Sequence, residues 1–188
     1  MTAVTVPSPP FVLVGQPFTV ADLDPMPDDG RRHELIDGVL VVTPAPSRAH
    51  QHVLRRLVVL IDAAVPDDCE MLFAPFDVRL SDGTNLQPDL LVARAAAFTP
   101  ANLPSAPLLV VEVASPSTRL IDRRLKHAAY ERAGTLAFWI VDPLVPSLTA
   151  WELRDGAYVE VADVSGEEAF VATVPFPVTV VPAALVAT

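Results

Sequence analysis

The chain has one cysteine, one lysine, few aromatic residues and no long apolar run. A lone Cys69 excludes an intrachain disulfide and any cysteine-rich zinc site. The most apolar stretch, around residues 108–114, is interrupted by Glu112 and is far too short to span a membrane. The first residues carry prolines but no basic start ahead of an apolar run, so they do not read as a signal peptide, and a cytoplasmic location is the expectation. Positive charge is scarce: 13 Lys and Arg against 23 Asp and Glu leave a net charge of −10. That balance counts against nucleic-acid binding through the overall field, so a local basic patch or a bound divalent ion would have to supply the attraction. What is abundant is apolar content, 51% of 188 residues, which argues for one folded domain with a proper core despite 20 prolines.

Residues 1–17 are Pro-rich and aperiodic and read as an N-terminal arm, or a strand needing a partner, ahead of a single domain over 18–188. Thr19 caps a short helical turn that Pro25 and Pro27 stop. Residues 33–36 and 39–43 flank Asp37 and Gly38, the signal for a type I′ hairpin. Ser47 caps a helix to about Ala64, with Val53, Leu54, Leu57, Val58, Leu60 and Ile61 on its buried stripe. Strands are expected over 71–80, 88–93 and 108–114, with a proline-bearing loop over 94–107. A helix over 118–133 should end at Gly134, followed by a strand over 136–141 and weaker strands over 148–153, 157–161, 170–174 and 178–181. This order predicts a mixed α/β (α+β) fold: a central mixed β-sheet flanked by helices, with an N-terminal β-hairpin, and not a doubly wound sheet.

Chemistry concentrates at three positions. Glu112 sits inside Leu-Leu-Val-Val-Glu-Val-Ala, where a buried carboxylate costs several kcal/mol unless it is paired or binds a metal. Asp89 starts another apolar strand; if the two strands are neighbours, both carboxylates face one cleft and suit Mg²⁺ or Mn²⁺. The plain alternative is that Glu112 pairs with an arginine and Asp89 caps a strand. Lys126 stands among twelve arginines, and an ammonium is a compact point donor that a planar guanidinium does not replace. Its i,i+4 neighbour is Asp122, opposite a face carrying Leu125, Ala128 and Ala129, so Lys126 either leans into the cleft or makes an exposed pair. Arg119, Arg123 and Arg124 on the same helix form the best basic patch, either phosphate-binding or a solvated face. Arg48 and His50, near a helix start, are further candidates for phosphate contact. Trp139, Trp151 and Tyr130 read as packing residues. Neither a nucleophile elbow nor a His-Glu-x-x-His zinc motif is present.

The stretches HELIDGVLVVTPAPSRAHQ, QPDLLVA and LVVEVASPSTRLIDRRLKHAAYERAGTLAFWIVDP resemble the bacterial restriction endonuclease family often called Uma-two, within the PD-(D/E)XK nuclease superfamily. The resemblance implies a restriction endonuclease-like core and Mg²⁺-dependent (or Mn²⁺-dependent) hydrolysis of DNA phosphodiester bonds. The superfamily's Pro-Asp falls on Pro88 and Asp89, and its second acid on Glu112. Its lysine ordinarily follows two residues later, where this chain has Ala114; the family's pattern moves that lysine to the next helix, here Lys126. An early glutamate of the pattern corresponds to Glu34. On this reading Asp89, Glu112 and the main-chain carbonyl of Val113 hold the metal, while Lys126 orients the attacking water and stabilises developing charge. Glu34 either reaches a metal through water or stands as a rim carboxylate. Cutting both strands of a duplex favours a homodimer. The competing expectation, favoured by the acidic charge, is a catalytically inactive nuclease fold acting as a DNA-binding or interaction module.

Overall fold

The computed structural model describes residues 11–12, 17–26, 30–115 and 121–187. Strand β1 (Phe11–Val12) pairs antiparallel with β3 (Val39–Thr43), so two residues of the expected arm belong to a sheet. A single turn α1 (Val20–Leu23) follows Thr19, whose backbone N–H donates to the Asp22 carboxylate at 2.7 Å. Strand β2 (Arg32–Ile36) then forms the expected hairpin with β3. Its turn has Asp37 at φ 50° and Gly38 at φ 79°, the left-handed pair that a two-residue turn requires. Gly38 has a second constraint, because a Cβ there would lie 2.8 Å from the Pro17 Cβ.

Helix α2 (Arg48–Asp62) starts at Ser47, whose hydroxyl accepts the His50 N–H at 3.3 Å. The single strand expected over 71–80 is instead two: β4 (Cys69–Phe73) and β5 (Asp77–Ser81), which belong to different sheets. Pro75 explains the division, since it has no N–H to offer a ladder. The sequence reading also missed β6 (Thr84–Leu86), which hairpins back on β5. Strand β7 (Leu90–Arg94) begins after Pro88 and Asp89, and the loop behind it contains β8 (Asn102–Leu103). The apolar run makes β9 (Leu109–Val113), buried along its whole length.

Residues 116–120 lie outside the described residues, so the expected helix is seen from Ile121. Its first stretch, Ile121–Lys126, is π-helical and passes into α3 (His127–Ala133), with Gly134 closing it at φ 89°. Beyond it come β10 (Ala137–Asp142), β11 (Ser147–Arg154), β12 (Ala157–Ser165), β13 (Phe170–Ala172), β14 (Val178–Val180) and α4 (Pro182–Val186).

The strands form two main sheets, ordered β1-β3-β2-β6-β5-β8 and β12-β11-β10-β9-β7-β4, and β13 pairs with β14. In the second sheet β9 and β10 run parallel while the other neighbours are antiparallel, so it is a mixed sheet. Alternation of side chains sorts its two faces. Leu90, Val92, Leu109, Val111, Val113 and Trp139 pack against Val53, Leu54, Leu57 and Ile61 of α2. On the opposite face Val110, Ala114, Phe138 and Ile140 meet Ile36, Val41 and Leu86 of the first sheet, together with Ala129 and Tyr130 of α3. Trp139 and Tyr130 are thus core residues, and Trp151 is partly buried against the same layer. The layer between the two sheets also receives the candidate site.

Candidate active site

Leu90 pairs with Val111 across β7 and β9, which sets Asp89 and Glu112, one residue further along each strand, beside one another on the same face. Both are 2% exposed. Asp89 is held on three sides: Oδ1 accepts from Arg32 Nη1 at 3.0 Å, while Oδ2 receives the Val113 N–H at 2.8 Å and lies 2.9 Å from His50 Nε2. Glu34 enters from the first sheet on β2 and is 1% exposed, so it is not a rim carboxylate. Its Oε1 accepts the Gln87 N–H at 2.9 Å. Lys126 bridges the two sheets, with Nζ 2.9 Å from Glu34 Oε1 and 3.0 Å from Glu112 Oε1. The four groups Glu34, Asp89, Glu112 and Lys126, spread over nearly a hundred residues of sequence, thus share one buried layer.

The π-helical turn accounts for the aim of Lys126. An i→i+5 turn is wider than an α turn and rotates the following side chains relative to an α-helical count. Leu125 is 46% exposed, whereas Lys126 is 3% exposed and points inward. The side chain of Asp122, its expected i,i+4 partner, lies outside the described residues.

Electrostatics follow from this enclosure. Burial alone would raise the Asp89 pKa, but the His50 hydrogen bond and the charges of Arg32, His50 and Lys126 outweigh it and bring it to about 2. Arg32 experiences the converse: burial disfavours its charge, and the fields of Asp89, Glu34 and Glu112 more than restore it. Tyr130 is fully buried, its hydroxyl has no hydrogen-bond partner, and burial together with Glu112 and Glu34 pushes its pKa well above the phenol value. Its ring packs in the cluster that contains Ile36, two residues from Glu34, and Val110 and Ala114, two residues either side of Glu112.

The other sequence candidates scatter. His50 is 6% exposed and lies 2.9 Å from Asp89 Oδ2, with Nδ1 buried and unpartnered among the described residues, so it sits inside the site and not on the surface. Arg48, Arg123 and Arg124 are exposed, and Arg119 lies outside the described residues. Two residues escaped the sequence reading. Arg32 shares a strand face with Glu34 by the two-residue period, a signal that was available. Gln87 works through its backbone, donating to Glu34 and accepting from Arg32 Nη1 at 3.0 Å, which no residue-type argument reveals. Beside these two residues opens a cleft of about 470 Å³, whose walls include Arg31, Pro46, Gln51 and Leu54.

Among the described residues no three His, Cys, Asp or Glu side chains converge as a metal cage. Magnesium does not demand one, because it commonly binds through one or two carboxylates and keeps water or substrate oxygens elsewhere. A carboxylate offers about four lone-pair sites, and Asp89 uses three, which leaves one on Oδ1. Among the described residues, the buried carboxylates of Glu34, Asp89 and Glu112 bring oxygen donors together beside Arg32 and Lys126. The oxygen-rich donor set therefore fits a hard divalent ion.

Comparison with known proteins agrees with this architecture. A structure described as a putative nuclease belonging to DUF820, from Anabaena variabilis ATCC 29413, superposes with a TM-score of 0.68 at 18% identity, covering 90% of this chain and 98% of that one. The likeness extends over nearly the whole fold, consistent with a restriction endonuclease-like core. No curated protein matches the chain. The profile of one family, Uma2, described as "Putative restriction endonuclease", matches residues 20–184, from the start of α1 into α4, and the chain belongs to that family.

Proposed function

We propose that the protein is a divalent-metal-dependent endonuclease that hydrolyses phosphodiester bonds of DNA at the Glu34, Asp89, Glu112 and Lys126 cluster. The observation that carries this reading is the buried Lys126 ammonium, 3.0 Å from Glu112 and 2.9 Å from Glu34, in a layer shared with Asp89. A lysine is desolvated there at considerable cost, and a point donor aimed at a carboxylate pair is what stabilisation of a charged phosphoryl group calls for.

Asp89 and Glu112, with the main-chain carbonyl of Val113, are the groups to hold Mg²⁺ or Mn²⁺. When bound, such an ion polarises phosphate oxygens and makes water more acidic. Arg32 and His50 keep Asp89 ionised and fix its orientation. Glu34 takes the place of an anchor for Lys126, since its Oε1 is engaged by Nζ and by the Gln87 N–H. Lys126 then donates to an oxygen on which negative charge develops. Arg123 and Arg124, exposed on the π-helical turn that carries Lys126, contact flanking phosphates, and a homodimer brings two such sites to the two strands of a duplex.

One observation favours the second reading, an inactive nuclease fold that serves as an interaction module: the net charge of −10, which disfavours contact with phosphates. An equilibrium Mn²⁺ titration separates the two. The nuclease reading expects binding that Glu112→Ala abolishes; no binding, or binding unaffected by Glu112→Ala, supports the module.

A further inference from the structure

Arg32 spends only part of its guanidinium on the carboxylate cluster. A guanidinium has five N–H donors, and the two on Nη1 go to the Gln87 carbonyl and to Asp89 Oδ1, each at 3.0 Å. Among the described residues Nε and Nη2 make no hydrogen bond, and neither nitrogen is enclosed in the protein. Both therefore reach the surface of a side chain that is 19% exposed. The group is planar, and Nη1 is the nitrogen on the Cδ side. The Nε–H and one Nη2–H consequently run parallel along the other edge, the fork that takes two oxygens of one phosphate or carboxylate.

That edge belongs to a residue lining the cleft of about 470 Å³, a volume within the range of small-ligand sites. Although the chain carries 23 Asp and Glu, none of them lines this cleft among the described residues. No described carboxylate there competes with an outside anion for the fork. The remaining walls are largely apolar and stiff: Pro44 and Pro46 follow β3, Pro75 lies between β4 and β5, and Leu54 projects from α2. A bare anion uses the fork alone, whereas a phosphate that carries a sugar and a base covers the proline wall as well. The fork is also pre-set, because Nη1 is fixed by two acceptors before any ligand arrives, which reduces the ordering cost of binding.

We propose that Arg32 is a substrate-binding residue whose free edge takes a backbone phosphate of a nucleic-acid strand lying in this cleft, with the attached nucleoside against Pro44, Pro46 and Pro75. The identity of the strand as substrate rests on the nuclease reading; the phosphate chemistry of the fork does not. One guanidinium then serves two ends. Its Nη1 holds Asp89, and its Nε and Nη2 hold the strand, so the bound phosphate sits one guanidinium width from the carboxylate assigned to the metal. A lysine preserves the charge beside Asp89 but has no second edge to offer.

The test is a titration of the ¹⁵N-labelled full chain, in EDTA, with thymidylyl-(3′,5′)-thymidine, following the Arg32 Nε–H signal and the Gln51 side-chain amide at the cleft wall. This is weak recognition of a single phosphate, separate from the metal-dependent affinity for duplex DNA. The dinucleotide is expected to shift both signals, and its uncharged methylphosphonate analogue to leave the Nε–H signal in place. Inorganic phosphate and acetate should shift Nε–H only at concentrations roughly tenfold higher, since they lack the nucleoside. Arg32→Lys, read through Gln51, should weaken dinucleotide binding roughly tenfold. An Nε–H signal that the dinucleotide does not move overturns the proposal, as does an equal response to the methylphosphonate, to inorganic phosphate or to acetate. Because the titration contains no metal and reads no cleavage, a chain that binds the dinucleotide but does not cut DNA contradicts only the nuclease reading. A chain that cuts DNA while Arg32 stays silent contradicts only this one.

Discussion

Asp89 shows most clearly how residues outside the acidic trio make the site. A carboxylate 2% exposed would ordinarily be protonated, yet the donors around it hold its pKa at about 2. Its folded-state value is depressed below the ordinary 3.8, so its contribution to stability is fully present above that value and is lost as pH falls toward 2. Urea unfolding of wild type and Asp89→Asn should therefore differ by a constant amount above pH about 5, and the difference should close between pH about 4 and 2. A difference that stays constant down to pH 2 would show that Asp89 is not held ionised by its partners. Tyr130 presents the opposite case, a buried hydroxyl without a partner. Tyr130→Phe removes only that unsatisfied group, so the melting temperature should hold or rise. A loss of more than about 1 kcal/mol would mean that the hydroxyl makes a stabilising hydrogen bond in solution.

Among the elements, the π-helical turn does the most to place chemistry, because it buries Lys126 while leaving Arg123 and Arg124 exposed on the same six residues. On the proposed reading those arginines neutralise phosphates and do not act on the scissile bond. Arg123→Ala and Arg124→Ala should each weaken DNA binding and reduce the slope of log affinity against log salt by about one, measured by fluorescence anisotropy. A slope unchanged in both variants would place the DNA elsewhere. Local signals made several elements legible: Asp37 and Gly38 for the first hairpin, Ser47 for the start of α2, Gly134 for the end of α3. The division of residues 69–81 between two sheets was not, since it depends on where β4 and β5 find partners, even though Pro75 marks the break. Nor was the π turn, because the same residues satisfy an α-helical count.

For the molecule as a whole, the acids Asp89 and Glu112 could be read from their odd placement in apolar strands, and Lys126 from being the chain's single lysine. Their convergence could not be read without the resemblance, because Glu34 arrives from a different sheet and His50 from a helix on the other side of the second one. The net charge of the protein is −10, so on the proposed reading attraction for DNA comes from a bound divalent ion and a few exposed arginines. On the proposed reading metal is required for both binding and chemistry, and Lys126 acts in the transition state alone. Single-turnover cleavage of supercoiled plasmid DNA, by wild type and by Lys126→Ala with saturating Mg²⁺ or with EDTA, tests this most directly. The expected result is cleavage by wild type that EDTA abolishes, and a rate at least about a hundredfold lower in Lys126→Ala with DNA affinity little changed. Cleavage by Lys126→Ala at the wild-type rate, or wild-type cleavage that persists in EDTA, would contradict it.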